Sequence, residues 1–318
     1  MRMSTLKKRN MERKSETLFI YEHGVCMEKL PDSIAVEGIA MFKGLMEFGK
    51  YFNLVSSVRD EFSGIFPFEN SSLKECLERA DRAIIIAPEN DMILYRITQE
   101  IERTGIENLG SSSRAIQITS DKWRLYKKLR NRVNMPETST RELDCSYVVK
   151  PRVSCGGDGI RAGGKVADGF IAQEYVRGRS LSISLFVGDD VHVLSMNRQI
   201  LDGFQYRGAI VPESARNETV EEAIKAVLAL KGLNGYVGVD VIEADLPYVI
   251  EVNARLTTPF IAFEHAYGIS YADMYAKLSE GKKIEIRPKR KVLMMKSEGD
   301  GFVTYGGHSI VLKTISNI

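Results

Sequence analysis

Residues 236–253 read YVGVDVIEADLPYVIEVN, where two short apolar runs flank a turn-like segment, ADLP at 244–247. This pattern predicts a β-hairpin with a four-residue loop, in which Glu243 faces Tyr248. Successive side chains of a strand point to opposite faces, so the register assigns each residue of the hairpin to one face. One face would be apolar and buried, and its members are Val239, Val241, Ile250 and Val252.

Acidic side chains meet on the other face of this hairpin. The same register places Asp240 opposite Glu251, with Asn253 two residues further along that face. Two like charges that face each other on a sheet are destabilising unless something neutralises them. Two carboxylates and an amide oxygen are hard ligands of the kind that magnesium and manganese prefer, so the hairpin predicts a metal site. An ordinary exposed face with incidental acidic residues is the alternative.

Composition is that of a soluble globular protein. The 318 residues are 44% hydrophobic and 27% charged, enough for two or three cores, and the net charge of +2 neither indicates nor excludes an anionic partner. No apolar run approaches the roughly 20 residues of a membrane span, so we expect no membrane partner. The cysteines form no CxxC pair, which is typical of a cytoplasmic protein without a zinc site; they are Cys26, Cys76, Cys145 and Cys155.

The N-terminal segment, residues 1–14, is basic and contains little apolar sequence. It lacks the apolar core of a signal peptide, and we predict a disordered basic extension. Contact with nucleic acid is an alternative role for such a segment. A solvated tail or a misassigned start codon is the simpler interpretation.

Strands and helices alternate through the next hundred residues. We predict strands at 17–21 and 83–87, and helices from Asp32 or Ser33 to about Phe52, at 73–79 and from Asp91 to Thr104. Such alternation is typical of a parallel, doubly wound sheet. A run of three serines at 111–113 marks the probable end of this Rossmann-like domain.

The rest of the chain has an α+β pattern. Its predicted elements are helices at 121–131, 220–230 and 271–278, strands at 148–150 and 170–172, a hairpin of 181–187 with 191–198, the hairpin described above, and a strand-like segment from Val292.

A glycine-rich loop, SCGGDGI at 154–160, lies between two predicted strands and lacks the Walker pattern that opens a helix. Backbone N–H groups of a flexible glycine hairpin can cover phosphates, although such loops without a ligand are common. Lys150 ends the apolar run before Pro151 and would reach the same place. Because a lysine in a hydrophobic strand is costly without an anion, Lys150 predicts phosphate binding.

Two other segments carry weaker signals. Lys122 follows Asp121 on a predicted helix and, taken alone, has the pattern of a solvated surface lysine. Residues 173–178, QEYVRG, follow a strand and could read the edge of a purine with backbone carbonyl and amide groups. A plain interdomain linker is the alternative for this segment.

Taken in order, these segments resemble the ATP-grasp superfamily over nearly the whole chain. The resemblance rests on Asp121-Lys122, Val149-Lys150-Pro151, Gly156-Gly157-Asp158-Gly159, Gln173-Glu174-Tyr175-Val176, Asp240 and Glu251-Val252-Asn253-Ala254-Arg255. It implies an α/β and α+β architecture with ATP held between the last two of three parts. These parts are a Rossmann-like domain at 15–112, a small ATP lid subdomain at 113–178 and a larger metal-carrying subdomain at 179–318.

The resemblance also implies roles for individual residues. The expected ATP contacts are Lys122, Lys150, Ser154, Gly156, Gly157, Gln173, Glu174, Val176 and Ser180. One or two Mg²⁺ or Mn²⁺ ions would lie at Asp240, Glu251 and Asn253, with Lys150 and Arg255 as catalytic charges. Ser180 stands where many members have a ribose-binding carboxylate. Gly238 stands where D-alanine ligases carry an arginine, which argues against that specificity.

Three N-terminal segments, FIYE at 19–22, EGIAMFK at 37–43 and IAPEND at 86–91, resemble the archaeal branch that contains tyramine–L-glutamate ligases of methanofuran biosynthesis. This resemblance implies a cytoplasmic acid–amine ligase that forms an amide through an acylphosphate, with ATP, L-glutamate and tyramine as small-molecule substrates. A homodimer is a candidate assembly. Candidate substrate contacts are Arg198 and Arg207, whose guanidinium forks suit a carboxylate, and by family analogy Glu22 and His23.

Two alternatives stay open. The same chemistry could serve another amino acid or amine, or the chain could bind nucleotide without ligase activity. Opposed acids at Asp240 and Glu251 argue against the second alternative, because a scaffold that only needed the fold would have no reason to keep them.

Overall fold

Three β-sheets, each drawn from one continuous stretch of sequence, organise the structure. The computed structural model describes residues 16–282 and 284–318. The basic extension predicted at 1–14 lies outside these residues. Among the described residues, every helix falls short of the length and apolar character that crossing a membrane requires.

The first sheet is parallel, with the strand order β2-β1-β3-β4. Its strands are β1 (Thr17–Glu22), β2 (Asn53–Val55), β3 (Arg82–Ile86) and β4 (Glu107–Asn108). Parallel strands need crossover connections, which here are α1 (His23–Cys26), α2 (Asp32–Met46), α3 (Leu73–Glu78) and α4 (Ile93–Thr104). This arrangement confirms the predicted parallel α/β fold of the first domain.

Two helices of this domain are shorter than the sequence predicted. Helix α2 ends at Met46 and gives way to a 3₁₀ turn at Glu47–Lys50; similar turns lie at Asp60–Phe62 and Asn90–Met92. Helix α4 begins at Ile93 because Asp91 and Met92 have positive φ angles of 50° and 57°. A left-handed residue cannot continue a right-handed helix.

The second sheet is small and antiparallel, with the order β5-β8-β6-β7. Helices α5 (Ser113–Thr119) and α6 (Lys122–Leu129) precede it, and Asp121 caps α6 by accepting the N–H groups of Trp123 and Arg124. Its strands are β5 (Thr138–Ser139), β6 (Tyr147–Pro151), β7 (Arg161–Ala162) and β8 (Phe170–Glu174).

The third sheet has eight antiparallel strands in the order β13-β12-β9-β10-β11-β14-β16-β15. They are β9 (Arg179–Val187), β10 (Val191–Asp202), β11 (Gln205–Val211), β12 (Gly235–Glu243), β13 (Pro247–Asn253), β14 (Arg290–Glu298), β15 (Val303–Tyr305) and β16 (His308–Asn317). Its helices are α7 (Asn217–Leu228), α8 (Phe260–Tyr267) and α9 (Tyr271–Ser279). Among the elements of this part, β11 and α8 were not predicted from the sequence.

The β12–β13 hairpin has the predicted pairing only at its open end. Asp240 faces Glu251 as predicted, but Val241 faces Val249 and the loop has three residues, because Pro247 pairs with Glu243. A β-bulge at Ile250 absorbs the difference. The predicted burial of Ile250 in the core was therefore wrong: Val249 is buried there, and Ile250 lines a cavity.

One apolar core joins the first and third sheets, where the Phe48 ring contacts the rings of Tyr271 and Tyr275. The buried side chains of the second sheet lie outside this core; they are Val148, Val149, Ile171 and Ala172. The second sheet therefore has a small core of its own.

We predict that Gly235→Ala lowers the free energy of unfolding by about 3 kcal/mol. Gly235 has a φ of 67°, and a Cβ there would lie 2.3 Å from the carbonyl oxygen of Leu109 in the first domain. Gly105→Ala is the matched control, because Gly105 has a φ of 79° but open space around its Cβ, and should cost about 1 kcal/mol. Urea unfolding measures both values, and equal losses would contradict the steric explanation.

Candidate active site

A cavity of about 880 Å³ lies where the three sheets meet. Its wall combines side chains from the small sheet, the large sheet and helix α2. The predicted site residues that line it are Lys150, Gly156, Gly157, Gln173, Glu174, Val176, Ser180, Arg207, Asp240, Glu251, Asn253 and Arg255. The fold thus gathers most of the predicted residues from distant parts of the sequence into one space.

Asp240 and Glu251 are the acidic centre of this cavity. The side chains of Ser182 and Gln199 donate hydrogen bonds to Asp240, and Asn253 Nδ2 donates to Asp240 Oδ2 over 3.3 Å. Burial raises the pKa of Asp240 to about 6, and the negative charge of Glu251 adds to the rise. A carboxyl group that ionises reluctantly in the protein alone has the most to gain from a nearby cation.

The donor set fits a divalent cation. Asp240 and Glu251 supply carboxylate oxygens, and Asn253 uses an N–H in its bond to Asp240, which leaves its amide oxygen available. Within residues 16–282 and 284–318, no three His, Cys, Asp or Glu side chains gather into a complete metal site. A cation here would therefore complete its coordination with oxygens from outside the chain, such as phosphate or water oxygens.

Two buried lysines lie beside the acids. Lys122 Nζ is 3.5 Å and Lys150 Nζ is 3.9 Å from Glu251 Oε1. Burial lowers the pKa of Lys150 to about 8, while Glu251 opposes that shift. Lys122 is 6% exposed, so the interpretation of this residue as a solvated surface lysine was wrong. Helix α6 begins at Lys122 and directs its side chain inward. The pair offers concentrated positive charge for an anion.

The glycine-rich loop packs against the turn between β10 and β11. Lys122 Nζ donates to the carbonyl oxygen of Ser154 over 2.8 Å, which fixes one end of the loop. Gly157 has a φ of 86°, and a Cβ there would lie 2.0 Å from the carbonyl oxygen of Phe204. Only glycine allows this approach. The loop therefore forms one side of the cavity.

An apolar slot adjoins the segment that was expected to meet a purine. Val148, Val176 and Ile250 line it, next to Gln173 and Glu174. The Gln173 amide donates to Thr138, and the carboxylate and the N–H of Glu174 both bond to the backbone of Glu137. The apolar surface of the slot is what remains for a flat ring. Such a slot suits a nucleobase.

Ser180 also lines the cavity, at the start of the large sheet. Its Oγ donates to Gln199 Oε1 over 2.6 Å, and the Gln199 side chain in turn donates to Asp240. Ser180 therefore connects to the acidic centre through one side chain.

Comparison with known proteins decides the family. Residues 119–259 match the ATP-grasp domain family, and residues 68–116 match the pre ATP-grasp 3 domain family. Relatives from Methanocaldococcus fervens and Methanocaldococcus jannaschii, both described as tyramine–L-glutamate ligase, are each 33% identical over 86% of this chain. The matches cover 98% and 92% of those relatives. This chain belongs to the ATP-grasp ligases.

Solved structures agree with this assignment. An Archaeoglobus fulgidus protein of the ATP-grasp superfamily has 46% identity and a TM-score of 0.88, over 95% of this chain and 100% of that one. An L-amino acid ligase from Bacillus licheniformis, at 20% identity and a TM-score of 0.67, shares the fold over 91% of this chain and 82% of its own. The protein is an ATP-dependent carbon–nitrogen ligase that joins an acid to an amine.

Arg255 connects the ATP-grasp part of the ligase to its first domain. Its Nε and Nη2 donate to both carboxylate oxygens of Glu89 over 2.8 Å, and its Nη1 donates to the carbonyl oxygen of Leu256. Bidentate pairs of this kind fix geometry as well as charge. Arg255 therefore lines the cavity in a held orientation.

The candidate substrate residues divide into two groups. Arg207 lies at the rim of the cavity, half exposed and paired with Asp202. Arg198 is not brought to the site: it is exposed, and strand alternation turns it away from the face on which Gln199 lines the cavity.

Glu22 and His23 lie behind the cavity wall, not in it. Glu22 Oε2 accepts the N–H of Val25, and burial raises the pKa of Glu22 to about 7. The two ring nitrogens of His23 bond to Tyr21 and Glu28. The hydrogen bonds of Glu22 and His23 are thus those of residues that stabilise the fold.

Several residues of the ligase cavity were not predicted from the sequence to be site residues. They are Glu37, Ser182, Gln199, Tyr206 and Lys296. Glu89, which holds Arg255, follows the end of strand β3. The carboxyl ends of parallel strands commonly face binding sites, so its position could have been noticed.

We predict that pH changes the stability of the metal-free ligase through Asp240. The folded protein binds this proton more tightly than the unfolded chain, whose aspartate titrates near 3.8. This contribution is therefore present below about pH 4 and is lost as pH rises through about 6, by about 3 kcal/mol. Asp240→Asn removes the contribution.

Urea unfolding in EDTA from pH 4 to pH 7 tests this expectation. The wild type should lose about 3 kcal/mol relative to Asp240→Asn across that range. Asp245→Asn, in the exposed loop of the same hairpin, is the control and should follow the wild type. A constant difference between the wild type and Asp240→Asn would contradict the prediction.

We also predict that Glu89→Ala lowers the free energy of unfolding by about 3 kcal/mol, because it leaves the buried charge of Arg255 without its partner. The control is Glu107→Ala, which breaks a more exposed pair with Arg82 and should cost less than about 1 kcal/mol. Urea unfolding at neutral pH measures both losses. Similar small losses would show that the Glu89 pair contributes little.

Proposed function

We propose that this ATP-grasp ligase joins the side-chain carboxylate of L-glutamate to the amino group of tyramine, giving γ-glutamyltyramine, ADP and phosphate. The observation that carries the proposal is the 33% identity to two archaeal relatives described as tyramine–L-glutamate ligases, across 98% and 92% of their lengths. The reaction would serve methanofuran biosynthesis, as the sequence resemblance implies.

Positive charge at the phosphate end supports the phosphoryl-transfer step. Lys122 and Lys150 offset the charge of the ATP phosphates, and Arg255 adds a fixed cation near the transferred group. Asp240 and Glu251, with Asn253, would hold one or two Mg²⁺ or Mn²⁺ ions, which when bound withdraw charge from phosphate oxygens. Burial of these groups strengthens each attraction.

The chemistry has two steps. The glutamate carboxylate attacks the γ-phosphorus of ATP, and ADP leaves. The neutral amine of tyramine then attacks the acyl carbon, phosphate leaves with the bonding electrons, and the nitrogen loses a proton. The glycine-rich loop at 154–159 covers the phosphates and keeps water from the acylphosphate between the two steps.

The test is ADP release with ATP, L-glutamate, tyramine and either Mg²⁺ or Mn²⁺, with mass spectrometry of the product. We expect a γ-glutamyltyramine mass that requires all three substrates. ADP release without this product would redirect the search to another amino acid or amine, and would contradict the proposed substrates.

We predict that Glu251→Gln lowers turnover on the order of 100-fold, because it removes a carboxylate from the acidic centre. Glu243→Gln is the control on the same hairpin: Glu243 pairs with Arg179 and lies outside the cavity. The control should retain most turnover. Equal turnover in both variants would remove Glu251 from the phosphate machinery.

A further inference from the structure

An ion pair between two domains forms part of the cavity wall. Glu37, on α2 of the first domain, pairs with Lys296, on β14 of the large sheet, and also accepts a hydrogen bond from Thr258. The side chains of Glu37 and Lys296 are 17% and 26% exposed, and both line the cavity. The wall therefore presents one negative and one positive group side by side.

Three buried polar atoms of the same wall lack a hydrogen-bond partner in the protein. They are Asn90 Oδ1, Tyr206 Oη and Ser309 Oγ, and all three residues line the cavity. Buried polar groups in native proteins are nearly always bonded. All three residues line the same cavity, so a polar ligand bound there would supply the missing partners once their side chains turn toward it.

Other observations link these atoms to the ion pair. Lys296 Nζ lies 5.7 Å from the centre of the Tyr206 ring. Asn90 precedes Asp91 and Met92, two consecutive non-glycine residues with left-handed backbone. Backbone strain of this kind concentrates at binding and catalytic sites.

The charges select the class of ligand. Glu37 and Lys296 satisfy each other until a ligand separates them. A singly charged ligand that separated them would leave one of the two without a partner, which is costly in a mostly buried site. A zwitterion satisfies both: its ammonium group meets Glu37 and its carboxylate meets Lys296. The free hydroxyls of Tyr206 and Ser309 and the amide oxygen of Asn90 add hydrogen bonds to such a ligand.

We propose that Glu37 and Lys296, with Asn90, Tyr206 and Ser309, form a subsite that holds the α-ammonium and α-carboxylate groups of the amino-acid substrate. This inference rests on the proposed function, in which an amino acid is the acid substrate. With both α-groups held, the side-chain carboxylate is the one left free for phosphorylation. The subsite therefore explains why the γ-amide forms and the α-amide does not.

Substrate analogues test each charge separately. Glutarate lacks the α-ammonium group of L-glutamate, and 4-aminobutyrate lacks its α-carboxylate. The wild type should prefer L-glutamate over both by kcat/KM. Glu37→Gln should lower the preference over glutarate, and Lys296→Met the preference over 4-aminobutyrate, each by about 10-fold to 100-fold.

The matched control lies on the same strand as Lys296. Lys291→Met breaks an ion pair with Glu213 whose side chains are 29% and 12% exposed, outside the cavity. It should leave both preferences at their wild-type values. If Lys296→Met and Lys291→Met give the same preferences, the subsite is wrong.

A charge exchange separates recognition from folding. The double variant Glu37→Lys with Lys296→Glu keeps an ion pair between the two domains but reverses its direction. We expect normal ATP binding and a raised KM for L-glutamate. Wild-type KM for L-glutamate in the folded double variant would overturn the proposal and leave the pair a structural role.

A binding assay distinguishes failure of this inference from failure of the proposed function. Calorimetry with ADP and Mg²⁺ present would compare the amino acids with analogues that lack the α-ammonium or the α-carboxylate group. One outcome is that γ-glutamyltyramine is not formed but a zwitterionic amino acid binds, and that Lys296→Met abolishes this binding while Lys291→Met does not. In that case the proposed substrates are wrong and the subsite is supported. If the wild type shows no preference for zwitterions, the subsite is wrong whatever the reaction.

Discussion

The site depends on two carboxylates that face each other and on the cations that make this arrangement tolerable. Asp240 and Glu251 lie on paired strands, where burial and the charge of Glu251 both raise the pKa of Asp240. Lys122 and Lys150 reach Glu251 from two separate elements of the chain. The acidic hairpin and the lysines of α6 and β6 therefore stabilise one another although they are distant in the sequence.

Cohesion is unequal among the three parts of the molecule. The first and large sheets share an apolar core, and the Arg255–Glu89 and Glu37–Lys296 pairs also join them. The small sheet buries its few apolar side chains apart from that core. A part with little apolar attachment opens at a lower free-energy cost than the rest of the molecule. The small sheet, which forms one wall of the cavity, is thus the part best able to open it.

Sequence patterns predicted the local features of this site and missed the long-range ones. The opposition of Asp240 and Glu251 could be predicted because strand pairing is a matter of counting along a short hairpin. The burial of Lys122 could not be predicted in this way, because the sequence of an eight-residue helix does not reveal which side chain packs against a distant strand. The Glu37–Lys296 pair joins residues that only the packing of α2 on the large sheet brings together. Arg198 was misjudged because its residue type was considered without the alternation of its strand.

The bulge at Ile250 gives the hairpin a further property. Ile250 and Glu251 are consecutive, yet both line the cavity, one in the apolar slot and the other at the acidic centre. A regular strand would point them to opposite faces. One irregularity therefore brings an apolar and an acidic side chain into the cavity from consecutive positions. A one-residue deletion in the three-residue loop could be accommodated by losing the bulge, which would keep the two acids opposed while turning Ile250 into the core. The length of that loop thus decides whether Ile250 faces the cavity or the core.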